Sequence, residues 1–171
     1  MLSKIVSGGQ TGVDRAALDA AISTGLPHGG WCPRGGRAED GTIPDHYRLV
    51  EASSVNYAVR TFLNVRDSDG TLILSRGELS GGTRLTLDFA RRLGRPYLVV
   101  MLDGEDHTAE ILNWIAEREI AVLNVAGPRE SSAPGINAEA KDLFTKVLVA
   151  LKKRDEQAEY KADGGQKPEC T

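Results

Sequence analysis

The sequence predicts an α/β protein, a single domain built on a parallel, doubly wound sheet of about five strands. Three observations carry this. Short apolar runs of strand type alternate with stretches of helical periodicity as far as Leu151. Two strand-to-helix joints are rich in glycine, at residues 7–14 and 80–83. The chain of 171 residues is long enough for one core that buries about two-thirds of its unfolded surface. Buried strands alternating with helices favour a parallel sheet covered on both faces.

The first strand ends at Val6 and runs into Ser7-Gly8-Gly9-Gln10-Thr11-Gly12-Val13-Asp14-Arg15. The alanine-rich helix Ala16-Ala17-Leu18-Asp19-Ala20-Ala21 follows. Residues 26–48 are rich in Gly, Pro and charge and lack periodicity. A connection of that length in a compact domain is usually functional. Helical spacing returns at Val55, Ala58, Val59, Phe62 and Leu63, with Arg60 and Asn64 on the opposite side. Asp69-Gly70 breaks that helix, and Thr71-Leu72-Ile73-Leu74 reads as a buried strand. Ser80-Gly81-Gly82-Thr83 opens a helix carrying Leu85, Phe89 and Leu93, which Gly94 and Pro96 stop. Residues 97–102 form a strand, 108–119 a helix starting at His107, and 121–125 another strand. The last helix lies around residues 137–153, with Ala140, Phe144, Val147, Leu148 and Leu151 on one face. Residues 1–154 therefore make the domain, and 155–171 form a polar tail with too few apolar residues to dock, expected to be disordered.

Composition narrows the function. Forty per cent hydrophobic and 26% charged residues describe a globular protein, and no apolar run is long enough to span a bilayer. With no leader-like segment, the expected location is the cytoplasm. A formal charge of −3 argues against broad binding of nucleic acid or anionic membranes. Cys32 and Cys170 stand far apart, so no disulfide is expected. No Cys/His spacing matches zinc, and no protein-held metal is predicted.

In such a sheet the loops at the carboxyl ends of the strands share one crevice. Here they are residues 8–14, 32–42, 75–83 and 127–131. Glycines admit a ligand close to the backbone, and unpaired amides at helix starts favour an oxyanion. The crevice after Val6, Leu74 and Val125 should thus take a phosphorylated, extended small molecule. The first loop lacks the Gly-Lys-Ser/Thr ending of a Walker loop and the Gly-x-Gly-x-x-Gly of dinucleotide sites, which removes ordinary ATPase and NAD dehydrogenase readings. Among the loop cations Arg15, Arg34, Arg37 and Arg129, the guanidinium forks of Arg34 and Arg129 are expected to meet phosphate. Arg15 is balanced between ligand and neighbouring carboxylate. Asp14, Asp40, Asp67, Asp69 and Glu130 are acidic candidates, either for ligand N–H groups or as a general base. Helix capping and turn chemistry compete for each of them. Cys32 beside Trp31 is expected to be a buried thiol.

Gly8-Gly9-Gln10-Thr11-Gly12-Val13-Asp14-Arg15-Ala16-Ala17, Gly29-Gly30-Trp31-Cys32-Pro33 and Asn124-Val125-Ala126-Gly127-Pro128-Arg129-Glu130-Ser131 resemble the molybdenum cofactor carrier proteins. Arg37-Ala38-Glu39-Asp40-Gly41, Asn64-Val65-Arg66-Asp67-Ser68-Asp69 and Gly81-Gly82-Thr83 extend the match across residues 4–151. The resemblance implies a Rossmann-like fold of the SLOG superfamily. It also implies an oligomeric carrier of molybdenum cofactor (molybdopterin), with molybdoenzymes or cofactor-synthesis proteins as partners. The metal would arrive with the cofactor. Related LOG-type enzymes cleave nucleoside 5′-monophosphates with an Arg and a Glu near a Gly-Gly-x-Gly-Thr motif. Gly81-Gly82-Thr83-Arg84 departs from that motif, leaving Arg129 and Glu130 as the catalytic pair if this chain is a hydrolase. A third reading is a sensor of ADP-ribose-like nucleotides. The expected binding residues are Gly8, Gly9, Gln10, Thr11, Gly12, Arg34, Ser80, Gly81, Gly82, Thr83, Arg129, Glu130 and Ser131.

Overall fold

The computed structural model describes residues 1–162. In chain order the elements are β1 (Lys4–Val6), α1 (Val13–Thr24), β2 (His28–Gly29), β3 (Trp31–Cys32), β4 (Arg37–Ala38), β5 (Gly41–Thr42) and β6 (Val50–Glu51). Then come α2 (Tyr57–Arg66), β7 (Gly70–Ser75), α3 (Gly81–Arg92), β8 (Tyr97–Met101), α4 (Thr108–Glu117), β9 (Val122–Ala126) and α5 (Ile136–Ala162). The main sheet has five parallel strands in the order β2-β1-β9-β7-β8. The fold is a Rossmann-like α/β domain, as the strand and helix alternation predicts.

Every residue of β7 is buried, as a central parallel strand requires. Alternation then sorts the two faces of the sheet. Leu72, Leu74, Leu123 and Val125 join the main core with α1, α4 and α5. The small residues Ala16, Ala17, Ala20 and Ala21 let α1 lie close to Ala140, Phe144 and Val147 of α5. The intervening Thr71 and Asn124 face the other way and satisfy each other, Asn124 Nδ2 donating to Thr71 Oγ1 at 3.2 Å. There α2 packs on α3, and Phe62 meets Phe89 edge-on with centroids 5.5 Å apart. A left-handed Gly25 (φ 74°) ends α1, and Leu26 N–H donates back to Ala21 O at 2.9 Å.

Two expectations need correcting. The fifth strand is β2, two residues long, inside the segment that reads as irregular. So short a strand carries no period, and only its pairing of Ile5 with His28 and Val6 with Gly29 defines it. The last helix also continues past Arg154 to Ala162, where a disordered tail is expected. Lys, Arg, Glu, Gln and Ala are good helix formers, so an established helix propagates through them without an apolar stripe. Residues 163–171, with Cys170, lie outside the described residues.

Candidate functional site

The loops after β1, β7 and β9 meet at the carboxyl edge of the sheet around a cleft of about 500 Å³. In sheet order, β9 lies between β1 and β7, at the point where the chain's direction of winding reverses. Ligand crevices of doubly wound sheets lie at such a point.

Close backbone approach holds the β1 and β9 loops together. A Cβ on Gly12 (φ +76°) would sit 2.3 Å from Pro128 O, and one on Gly127 would sit 2.3 Å from Leu74 O. Val13 N–H donates to Pro128 O at 3.2 Å, and Asn137 Nδ2 to Gly12 O at 2.9 Å. These glycines build the cleft wall from behind. Gly9 (φ +73°) does the same, because its Cβ would meet Leu49 Cδ1 at 2.4 Å.

Gly8 has another role. Arg60 reaches from α2 across its bare Cα to Asp14 at the start of α1, Nη1 to Oδ2 at 3.0 Å. A Cβ at Gly8 would lie 1.5 Å from that Nη1. The two side chains are 14% and 4% exposed, and both line the cleft. Burial raises the Asp14 pKa, against the Arg60 charge and a 3.3 Å hydrogen bond from Gln10 N–H. Arg60 Nε is buried without an acceptor among the described residues.

The start of α3 forms the facing wall. Its first backbone bond runs from Arg84 N–H to Ser80 O at 3.1 Å, and the Ser80 side chain makes no capping bond. The amides of Gly81, Gly82 and Thr83 therefore have no helical acceptor. A Cβ on Gly81 or Gly82 would meet no atom within 4 Å, so this end is open to the cleft. Arg76 also lines the cleft, but its guanidinium is committed to Glu139, at 2.6 Å, and to Pro134 O.

Glu39, from the hairpin of β4 and β5, closes the side nearest α1. Its carboxylate accepts from Thr11 Oγ1, from Ser131 Oγ and from Ser131 N–H at 3.1 Å, and it pairs with Arg129 Nε at 3.4 Å. Desolvation works against its charge, but the bonds from Ser131 and Thr11, with the Arg129 charge, outweigh it and hold its pKa below the ordinary value.

Of the residues expected at the site, Gln10, Ser80, Gly81, Gly82, Thr83 and Arg129 line the cleft. Gly8, Gly9 and Gly12 stand behind its wall, and Thr11 and Ser131 donate to the Glu39 carboxylate. Glu130 is committed elsewhere: its carboxylate accepts from Gly135 N–H and Asn137 N–H and caps α5. Arg34 and Arg37 are exposed and do not line the cleft. Arg15 forms a paired bond with Asp40, Nη2 to Oδ1 at 2.7 Å, which settles its balance toward the carboxylate.

Sequence reasoning missed Arg60 and Glu39. The side of α2 that carries Arg60 and Asn64, opposite the apolar stripe, faces inward. Asn64 is buried and clasps the Trp31 backbone, accepting from its N–H at 2.8 Å and donating to its O at 2.9 Å. Their four-residue spacing was the available signal. The other acidic candidates are structural. Asp67 holds Arg66 and the Trp31 indole, and Asp69 Oδ2 accepts from Val122 N–H at 2.7 Å. Cys32 is a buried free thiol. Among the described residues no cluster of His, Cys, Asp and Glu could hold a metal ion, and no helix is long and apolar enough to cross a membrane.

Residues 5–148 match the model of the circularly permutated YpsA SLOG family. A crystal structure of a provisionally named molybdenum carrier protein from Syntrophus aciditrophicus SB is 47% identical, with a TM-score of 0.84. That similarity covers 86% of this chain and 95% of the other. No curated protein matches the chain.

Proposed function

This chain belongs to the circularly permutated YpsA SLOG family, and from that premise we propose that its cleft binds a phosphorylated pterin of the molybdenum-cofactor type as cargo, without turnover. The observation that carries the reading is the open start of α3. Three amides lack helical acceptors at the edge of a cleft of suitable size, and the surroundings of two of them, Gly81 and Gly82, leave room for an anion. Arg129, whose side chain is 54% exposed, adds a charged donor from the β9 loop. Across the cleft, Gln10 and the Asp14–Arg60 pair offer acceptors and donors for the edge of a heterocycle. The carrier name of the similar crystal structure supports this choice among phosphorylated ligands.

The reading without turnover is supported by how two of the carboxylates are used. Glu130 caps a helix, and Glu39 accepts several hydrogen bonds. One observation favours a second reading, cleavage of a nucleoside monophosphate: Asp14 is buried in the cleft with its pKa raised, as a general acid would be. Calorimetry under anaerobic conditions with molybdopterin, nucleoside 5′-monophosphates and ADP-ribose tests both. Tight binding of molybdopterin with no product formed is expected. Release of free base from a monophosphate, abolished in Asp14→Asn, would establish the hydrolase instead.

A further inference from the structure

Thr11, Ser131 and Arg129 converge on one point, and a carboxylate of the chain itself occupies it. Thr11 Oγ1 accepts from Glu130 N–H at 3.2 Å, so its own proton is turned to Glu39. Ser131 gives Glu39 both its hydroxyl and its amide, the latter at 3.1 Å, and Arg129 Nε lies 3.4 Å away. Three donors on a single carboxylate, with a guanidinium beside it whose Nε–H goes to Ser132 Oγ at 3.2 Å, are the inventory of an oxyanion pocket. Glu39 and Arg129 line the cleft, and the hydroxyls of Thr11 and Ser131 reach it through the Glu39 carboxylate they donate to.

We infer that Glu39 is an internal stand-in for a ligand's phosphate: a phosphomonoester displaces its carboxylate and takes over the donors of Thr11, Ser131 and Arg129. This deepens the anion-binding reading of the cleft and rests on it. The backbone carrying Glu39 is anchored on both sides, by its own N–H to Gln10 Oε1 at 2.9 Å and by the Asp40–Arg15 pair next to it. The exchange therefore needs only rotation of the Glu39 side chain, with the hairpin in place. A phosphate competes well, since it brings more charge and a third acceptor oxygen to the same donors. The Glu39 charge meanwhile excludes weaker anions from the empty cleft.

The test is calorimetry with inorganic phosphate and with adenosine 5′-monophosphate on the wild type, Glu39→Ala and Glu39→Ala/Arg129→Ala. Removing the competing carboxylate frees charge-assisted donors, so Glu39→Ala should bind both probes about ten- to a hundredfold more tightly. Adding Arg129→Ala should cancel most of that gain. Should Glu39→Ala fail to fold, Glu39→Gln, which keeps the size and loses the charge, is expected to move affinity in the same direction. Unchanged or weaker binding in the folded variant would overturn the inference, and weaker binding would make Glu39 a ligand contact instead. Tightening for inorganic phosphate alone would overturn the assignment of the pocket to a ligand's phosphate end. These outcomes are independent of whether molybdopterin binds the wild type, so failure of the cargo reading is seen separately.

Discussion

Arg60→Ala should be among the most damaging single changes near the cleft. It leaves Asp14, 4% exposed, without its cation. Breaking a buried pair by removing one partner costs about 3–5 kcal/mol. A further ~0.5–1 kcal/mol goes with the Arg60 contact to the Tyr57 ring, 6.0 Å from its centroid. Because burial already raises the Asp14 pKa, the orphaned carboxyl can take up a proton and recover part of the loss, so about 3 kcal/mol at neutral pH is the expected figure. For a domain of this size that lowers the melting temperature by about 6–12 °C. The pH dependence carries a definite sign. Arg60 opposes the upward shift, so without it the folded pKa of Asp14 rises further. A carboxyl with a raised folded pKa binds more protons in the folded state, and stability falls as pH climbs from its unfolded value through its folded one. Arg60→Ala should therefore lose more stability at pH 8 than at pH 5 in urea titrations. Asp14→Asn should relieve most of the extra loss at pH 8. Equal losses at both pH values, or additive effects in the Arg60→Ala/Asp14→Asn cycle, would refute the reasoning.

Gly82→Leu and Gly9→Val should behave oppositely. The first enters open space and should weaken binding of phosphorylated ligands in calorimetry while scarcely moving the melting temperature. The second clashes with Leu49 at a left-handed position and should lower the melting temperature sharply, seen by scanning fluorimetry. His107 has its pKa raised by hydrogen bonds to Asp103 and then Glu110, against desolvation. Its contribution is thus complete below about 6.5, the unfolded value, and is lost as pH rises through the folded one. Urea titrations from pH 6 to 9 should show that decline, and His107→Gln should remove it. The domain is also expected to self-associate as a closed oligomer, and sedimentation showing only monomer at micromolar concentration would contradict that.

The sequence by itself determined the layered α/β domain, the central strands and the three loops that make the cleft. Those features rest on local signals: the apolar run of residues 71–74, the four-residue spacings of α3 and α5, and glycine at turns. The glycines were legible as special, but their purpose was not. Gly9, Gly12 and Gly127 are small so that backbone and side chains of other segments can press on them, while Gly81 and Gly82 are small beside open space. Only tertiary structure separates these cases, because the neighbour that fills or spares the missing Cβ lies far along the chain. The same holds for charge. Glu130 and Arg15 read as ligand candidates until their partners, the α5 amides and Asp40, are in place. Glu39 and Arg60 read as ordinary surface residues until folding brings Ser131 to the one and Asp14 to the other, across 92 and 46 positions of sequence. A side chain's chemistry is set by what surrounds it, and the sheet order, with β9 threaded between β1 and β7, is what brings those surroundings together.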